Sequence, residues 1–242
     1  MIASFASNFL FVKTRKTAGT TVELVLSGWC GADDILTPLI WEDELTRRGL
    51  GFSPHGFCID QAEEAAILAA HRLADGAEAV RLYSTAARSG GLRFWNHMPA
   101  SAIRSRLPDF WDRAFKFTVE RHPYEKAVSL AYFLLRDVPE YTIDDVRRLL
   151  ELIVPRGQYR NDPLYRIDGE LAVDRVIDYG DLWPALGELA LRFGRTLPDP
   201  LPRAKVGYRR FDEPAAMLLT ADQKREIRGI CAWEFAAFGY AP

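Results

Sequence analysis

Apolar positions along the chain follow two different periods, and the changes of period mark its elements. Residues 9–12 are a four-residue apolar run, which reads as a short strand covered on both faces. From Val22 onward the apolar positions fall at Val22, Val25, Leu26 and Trp29, the i, i+3, i+4, i+7 spacing of a helix with one buried face. The same order returns later: Phe115, Phe117 and Val119 alternate as in a strand, Pro123 suits a first helical position, and Tyr124, Ala127, Val128, Ala131 and Leu135 form a helical stripe.

Further elements follow from caps and breakers. Residues 60–73 read as a helix ended by Gly76, and Thr142-x-x-Asp145 opens another whose buried face is Val146, Leu149, Leu150 and Ile153. A strand is expected over 175–179, then a helix over 182–193 capped by Asp181 and closed by Gly194; Thr220-x-x-Gln223 starts a last helix. The aromatic stretch 233–240 reads as packing. Residues 30–60 and 155–170 show neither period. Alternating strands and helices predict one α/β domain over 1–242, a central mainly parallel sheet flanked by helices.

Chemistry gathers at the two strand-to-helix turns. The first contains Lys16, Thr17, Ala18, Gly19, Thr20 and Thr21. Backbone N–H groups at a helix start have no intrahelical partner, and the helix dipole adds about half a positive charge there, so such a turn receives anions. Gly19 leaves room for a phosphate, the three threonines offer hydroxyl donors, and Lys16 adds a cation. The lysine precedes the glycine, so this is not the Gly-x-x-x-x-Gly-Lys-[Ser/Thr] order. An ordinary capped helix beside a solvated lysine is the competing reading, and Glu23 reads as a first-turn acid favoured by the dipole. In the second turn Arg121 stands at a strand end, and Ser129 lies six residues past Pro123, about 9 Å along the helix and off its apolar stripe. Ligands of open α/β sheets lie beyond the carboxyl ends of the strands, so both turns could face one crevice. Taken singly, Arg121 reads as a salt-bridge partner and Ser129 as a neutral helix residue.

Together the two segments resemble the sulfotransferases that use 3′-phosphoadenosine-5′-phosphosulfate (PAPS), in particular their carbohydrate-type and bacterial branch with its heparan and uronyl 2-O enzymes. The resemblance implies a P-loop-NTPase-like fold. It implies that residues 16–21 hold the 5′-phosphosulfate end, that Arg121 and Ser129 hold the 3′-phosphate, and that 3′-phosphoadenosine-5′-phosphate (PAP) is the product, with no metal required. Arg15 occupies the place where that branch usually has proline, a departure bearing on the loop's rigidity. Between the anchors, Phe94-Trp95-Asn96-His97-Met98-Pro99 resembles the segment whose histidine, at a strand end, is the family's proposed general base. With a reference pKa of about 6.5, an imidazole is mostly neutral at pH 7 and able to accept a proton. A packed core histidine is the alternative for His97, and Glu120 an alternative base. The proline-rich basic loop 197–210 falls where sulfotransferases close over the nucleotide, so Lys205, Arg209 or Arg210 could reach the 3′-phosphate, although each taken singly reads as part of a solvated basic loop.

The function implied is sulfuryl transfer to a hydroxyl of a glycan, glycolipid or other small acceptor, with Lys16 neutralising the leaving oxygen. A P-loop-like ATP-dependent kinase and a noncatalytic nucleotide- or glycan-binding protein are the alternatives. Bulk properties add bounds. At 242 residues and 48% hydrophobic the chain can bury one sizeable core, and a net charge of −2 gives no general affinity for nucleic acid or anionic membrane. Lys13, Arg15, Lys16 and Arg121 could still form a local basic patch. Three cysteines without metal-type spacing suit reduced thiols, and the lack of an apolar span of about 20 residues suggests a cytoplasmic, bacterial-like protein.

Overall fold

A computed structural model describes residues 1–202, 204 and 207–241 of the chain. Among the described residues there are seven short strands: β1 (Ile2–Ser4), β2 (Phe9–Phe11), β3 (Ile35–Leu36), β4 (Phe115–Glu120), β5 (Arg166–Ile167), β6 (Glu170–Leu171) and β7 (Arg175–Asp178). Five of them form one sheet in the order β3-β1-β2-β4-β7, and β5 and β6 make a separate two-stranded ribbon. The sheet is mixed where a mainly parallel one was expected. β1 pairs antiparallel with both β3 and β2, whereas β2–β4 and β4–β7 are parallel. Four strands therefore share one direction and β1 alone opposes them, because a tight hairpin turns the chain between β1 and β2.

Side-chain alternation sends the strands into two cores. Ala3, Leu10 and Val12 face Phe57, Ile67, Phe94, Ile103 and Phe110 on one side. Phe9, Phe11, Phe117, Val119 and Ile177 meet Val22, Val25 and Leu26 of helix Gly19–Ser27 and Leu186 and Leu189 of helix Leu182–Arg192 on the other. A strand covered on both faces reads as an unbroken apolar run, which is why residues 9–12 do. Helix Pro123–Leu134 packs beyond the sheet against Ile143–Ile153 and Ala221–Ile230 through Ala127, Val128, Val146, Leu150 and Ile227.

Both expected capping boxes are present, at Thr142 with Asp145 and at Thr220 with Gln223. Helix Ala232–Phe238 follows the one that Thr220 starts, so the latter is not the last. Asp181 occupies the N-cap position of its helix, but its carboxylate makes no capping bond. Gly76 opens a helix where it was expected to close one: Gln61–Arg72 is followed by Gly76–Ser89, which Asp75 caps through the Glu78 N–H at 3.0 Å. A Cβ on Gly76 would lie 2.6 Å from the Trp41 indole, so close packing explains the glycine. Trp41 belongs to a helix, Trp41–Gly49, within the stretch 30–60 that showed no period. No described helix is long and apolar enough to cross a membrane.

Candidate anion-binding site

The loop after β2 is built on its neighbour β4. The Val12 N–H donates to the Phe117 carbonyl at 2.9 Å, Thr118 Oγ1 to the Val12 carbonyl at 2.7 Å, and Thr14 Oγ1 to the Val119 carbonyl. Two non-glycine residues, Lys16 at φ 61° and Ala18 at φ 60°, then adopt the left-handed conformation, turning the chain sharply into helix Gly19–Ser27. Each such residue costs on the order of 1–3 kcal/mol and persists only where surroundings hold it. The Val22 N–H bonds to the Ala18 carbonyl at 3.1 Å, so the N–H groups of Gly19, Thr20 and Thr21 precede the helical ladder. Thr17 does not offer its hydroxyl as expected; it is fully buried, and its Oγ1 shares a 2.8 Å bond with Thr14 Oγ1.

Beneath this turn lies an ion-pair cluster. Lys13 Nζ is 2.6 Å from Glu23 Oε2, and the Met1 ammonium is 2.9 Å from Oε1. Glu23 is thus a buried counter-ion in the fifth helical position, not a first-turn acid. Burial alone would raise its pKa, but Lys13, the terminal ammonium and Arg47 outweigh burial and hold it down to about 2. A Cβ on Gly19 would come within 2.8 Å of Lys13 Cγ and 3.3 Å of the Thr14 carbonyl. The bare position therefore admits Lys13 from below; it was expected to admit a phosphate from above. Gly19→Ala is accordingly expected to destabilise the fold by about 1–3 kcal/mol, read as a lowered midpoint in thermal unfolding; an unchanged midpoint would refute this packing account.

The second turn opens beside the first because β2 and β4 are adjacent and parallel. Arg121 directly follows β4, with its guanidinium 4.3 Å from the Tyr179 ring centroid and 2.9 Å from Glu125. Arg209 reaches the same Glu125 oxygen at 3.2 Å. A cavity of about 530 Å³ is lined by all of residues 13–21, by His97, Arg121 and Ser129, and by Tyr132, Phe133, Tyr179 and Arg209. Lys16 Nζ lies 4.2 Å from the Phe133 ring centroid. The Ala204 N–H donates to Thr21 Oγ1 at 3.2 Å, bringing the proline-rich loop against the 16–21 turn. Lys205 lies outside the described residues. Arg210 turns away, donating to the Pro139 carbonyl at 2.7 Å.

His97 sits in a turn before helix Ala100–Arg106, not at a strand end, and has φ 57°. Its Nδ1 is 3.3 Å from the Lys13 carbonyl, which can only accept, so Nδ1 carries the proton and Nε2 the lone pair. Burial, then the charges of Lys13 and the terminal ammonium, lower its pKa to about 3. The ring is therefore neutral across the physiological range.

Glu120 is not a base for a substrate. It is fully buried; its Oε1 accepts from Lys126 Nζ at 2.7 Å and the Arg121 N–H at 2.8 Å, and its Oε2 from the Tyr165 hydroxyl at 2.8 Å. Lys126 also meets Glu234 at 2.5 Å, and Glu234 accepts the Asn161 and Asp162 N–H groups at 2.7 and 3.0 Å. Lys126, Asn161 and Glu234 escaped the sequence reading. Glu234, set between Trp233 and Phe235, carries a sequence signal, whereas Asn161 stands between Arg160 and Asp162 with nothing to mark it.

No protein-family model, curated protein or solved structure matches this chain. What the site does is therefore read from its geometry. Among the described residues no group of three or more His, Cys, Asp and Glu side chains comes together as a metal site.

Proposed function

We propose that this protein is a sulfotransferase on a P-loop-like α/β scaffold, moving a sulfuryl group from PAPS to a hydroxyl of a glycan, glycolipid or other small acceptor. One observation carries the reading: the turn after β2 and the Arg121/Ser129 pair after β4 line a single cavity, at the carboxyl ends of adjacent parallel strands. Two anion-binding points in one cavity suit a ligand with separate 5′ and 3′ phosphates, and the strained backbone at Lys16 and Ala18 suits a turn shaped for a ligand. The cavity's volume lies within the range of sites that bury small ligands, about 300–1,000 Å³.

PAPS supplies an activated sulfuryl group, whose bond to the 5′-phosphate oxygen breaks as the acceptor oxygen bonds to sulfur. The chain's part is positioning and charge. The N–H groups of Gly19, Thr20 and Thr21 and the Thr20 and Thr21 side chains hold the 5′-phosphate. Arg121, Ser129 and, from the closing loop, Arg209 hold the 3′-phosphate. Lys16 neutralises the departing oxygen, the kind of preorganised charge that dominates such transfers. His97 Nε2 accepts the acceptor's proton. With its pKa lowered to about 3 it is a weak base in the bare site, and since neighbouring cations contribute to that lowering, a bound polyanion strengthens it.

Thermal unfolding with added nucleotide tests the assignment. At a hundredfold excess over its dissociation constant PAP is expected to stabilise by about 2.7 kcal/mol, a rise of several degrees, while ATP with Mg²⁺ gives little. Stabilisation by ATP with Mg²⁺ and none by PAP would point to a kinase and end the sulfotransferase reading.

A further inference from the structure

Arg15 raises a question that its neighbours answer. It occupies the position where the resembled branch usually has proline, and two residues in the left-handed conformation, Lys16 and Ala18, follow within three positions. The Arg15 backbone is gripped from 146 residues away. Asn161 Oδ1 accepts the Arg15 N–H at 2.9 Å, and Asn161 Nδ2 donates to the Arg15 carbonyl at 2.9 Å. One side-chain amide thus satisfies both backbone groups of a single residue, as a neighbouring strand would. A proline at 15 has no N–H and could make only half of this contact.

The amide is itself immobilised. Asn161 is fully buried, its own N–H donates to Glu234, and its Nδ2 also approaches Glu120 Oε1 at 3.3 Å. Glu120 Oε1 in turn accepts the Arg121 N–H, and Lys126 bridges Glu120 to Glu234. A single buried network therefore reaches the main chain on both sides of the cavity, at Arg15 and at Arg121. None of its side chains belongs to the cavity lining.

We propose that Asn161 is a positioning residue that sets the shape of the 16–21 turn through the Arg15 backbone and, with Glu120, fixes its spacing from Arg121. The inference rests on the reading of that turn as an anion site. Asn161 touches no reacting atom; it replaces, by a long-range hydrogen-bonded clamp, the local stiffness of a proline.

The test uses PAP as probe and amide hydrogen exchange as an independent readout. Asn161→Ala is expected to speed exchange at the Arg15 amide without ligand, to weaken PAP binding about tenfold for the loss of two well-made hydrogen bonds, and to raise the KM for PAPS more than it lowers kcat. Asn161→Asp keeps an acceptor for the Arg15 N–H and loses the donor to its carbonyl, so it should protect that amide better than alanine does and covers the case in which the alanine variant fails to fold. Arg15→Ala keeps the clamp and should leave exchange at residue 15 slow. Unchanged exchange at Arg15 in a folded Asn161 variant overturns the proposal, as does unchanged PAP affinity with a lowered unfolding midpoint, the pattern of a purely structural role. Failure of the wild-type protein to bind PAP would instead count against the nucleotide assignment, and the exchange comparison would still decide whether Asn161 holds the turn.

Discussion

Lys16→Ala is expected to lower sulfuryl transfer by about 10²–10³-fold, the cost typical of removing one preorganised group that stabilises transition-state charge. Three features make the loss large. The ammonium is carried by the turn itself, two residues ahead of the left-handed Ala18 at the helix start, so its origin is fixed by backbone. Its Nζ lies over Phe133, an apolar wall on which a charge is less screened than in bulk water. The nearest other lysine of the turn, Lys13, cannot stand in, because its Nζ is 2.6 Å from the buried carboxylate of Glu23. Alanine tolerates the left-handed conformation as Ala18 does, so the substitution removes charge with little change of backbone. Transfer of labelled sulfate from PAPS to an acceptor pool measures the effect, and a variant with unimpaired turnover would strip Lys16 of its role. Affinity for PAPS should fall much less than turnover, since the leaving-group charge develops mainly during transfer.

The second large effect lies below the cavity. Lys126→Met removes the cation shared by Glu120 and Glu234 and leaves two buried carboxylates without it, a change expected to destabilise by about 3–5 kcal/mol. Its pH dependence has a definite sign. Burial pushes the Glu120 carboxyl above the ordinary range, with Lys126 opposing that rise, so deleting Lys126 raises it further. A folded-state pKa above the unfolded value of about 4.3 means that the folded variant holds more protons than the unfolded one once the pH exceeds that value. The deficit against the wild type therefore grows as pH rises from the wild-type protein's own raised Glu120 pKa through the variant's still higher one. Urea unfolding at pH 5 and pH 8 measures it. A loss below about 1 kcal/mol at pH 8 would show that the three charges are not the buried unit described here.

Both turns were legible because their signals are local. An apolar run of four, a glycine and a helical stripe lie within about twenty residues around Gly19, and the second turn repeats that compactness around Pro123. What escaped is either too short or too distant. β1 and β3 have three and two residues, fewer than an alternation needs to be recognised, and without them the sheet looked mainly parallel. Thr17, Gly19 and Glu23 were assigned by what a solvent-facing turn would want, whereas each meets a partner below it. The Asn161 contact spans 146 positions and the Lys126–Glu234 pair 108, and no periodicity encodes such distances. His97 was found from its neighbours in sequence, but its turn and its suppressed basicity depend on burial against Lys13.

Glu125 gives the far side of the cavity a further property. Its carboxylate holds Arg121 and Arg209 at once, so an anion arriving there meets a resident competitor. Binding is an exchange of one anion for another, which weakens it relative to a pair of unclaimed guanidinium groups. Departure is eased by the same logic: as a bound anion leaves, the carboxylate recaptures both side chains, and no bare pair of like charges has to be exposed to water.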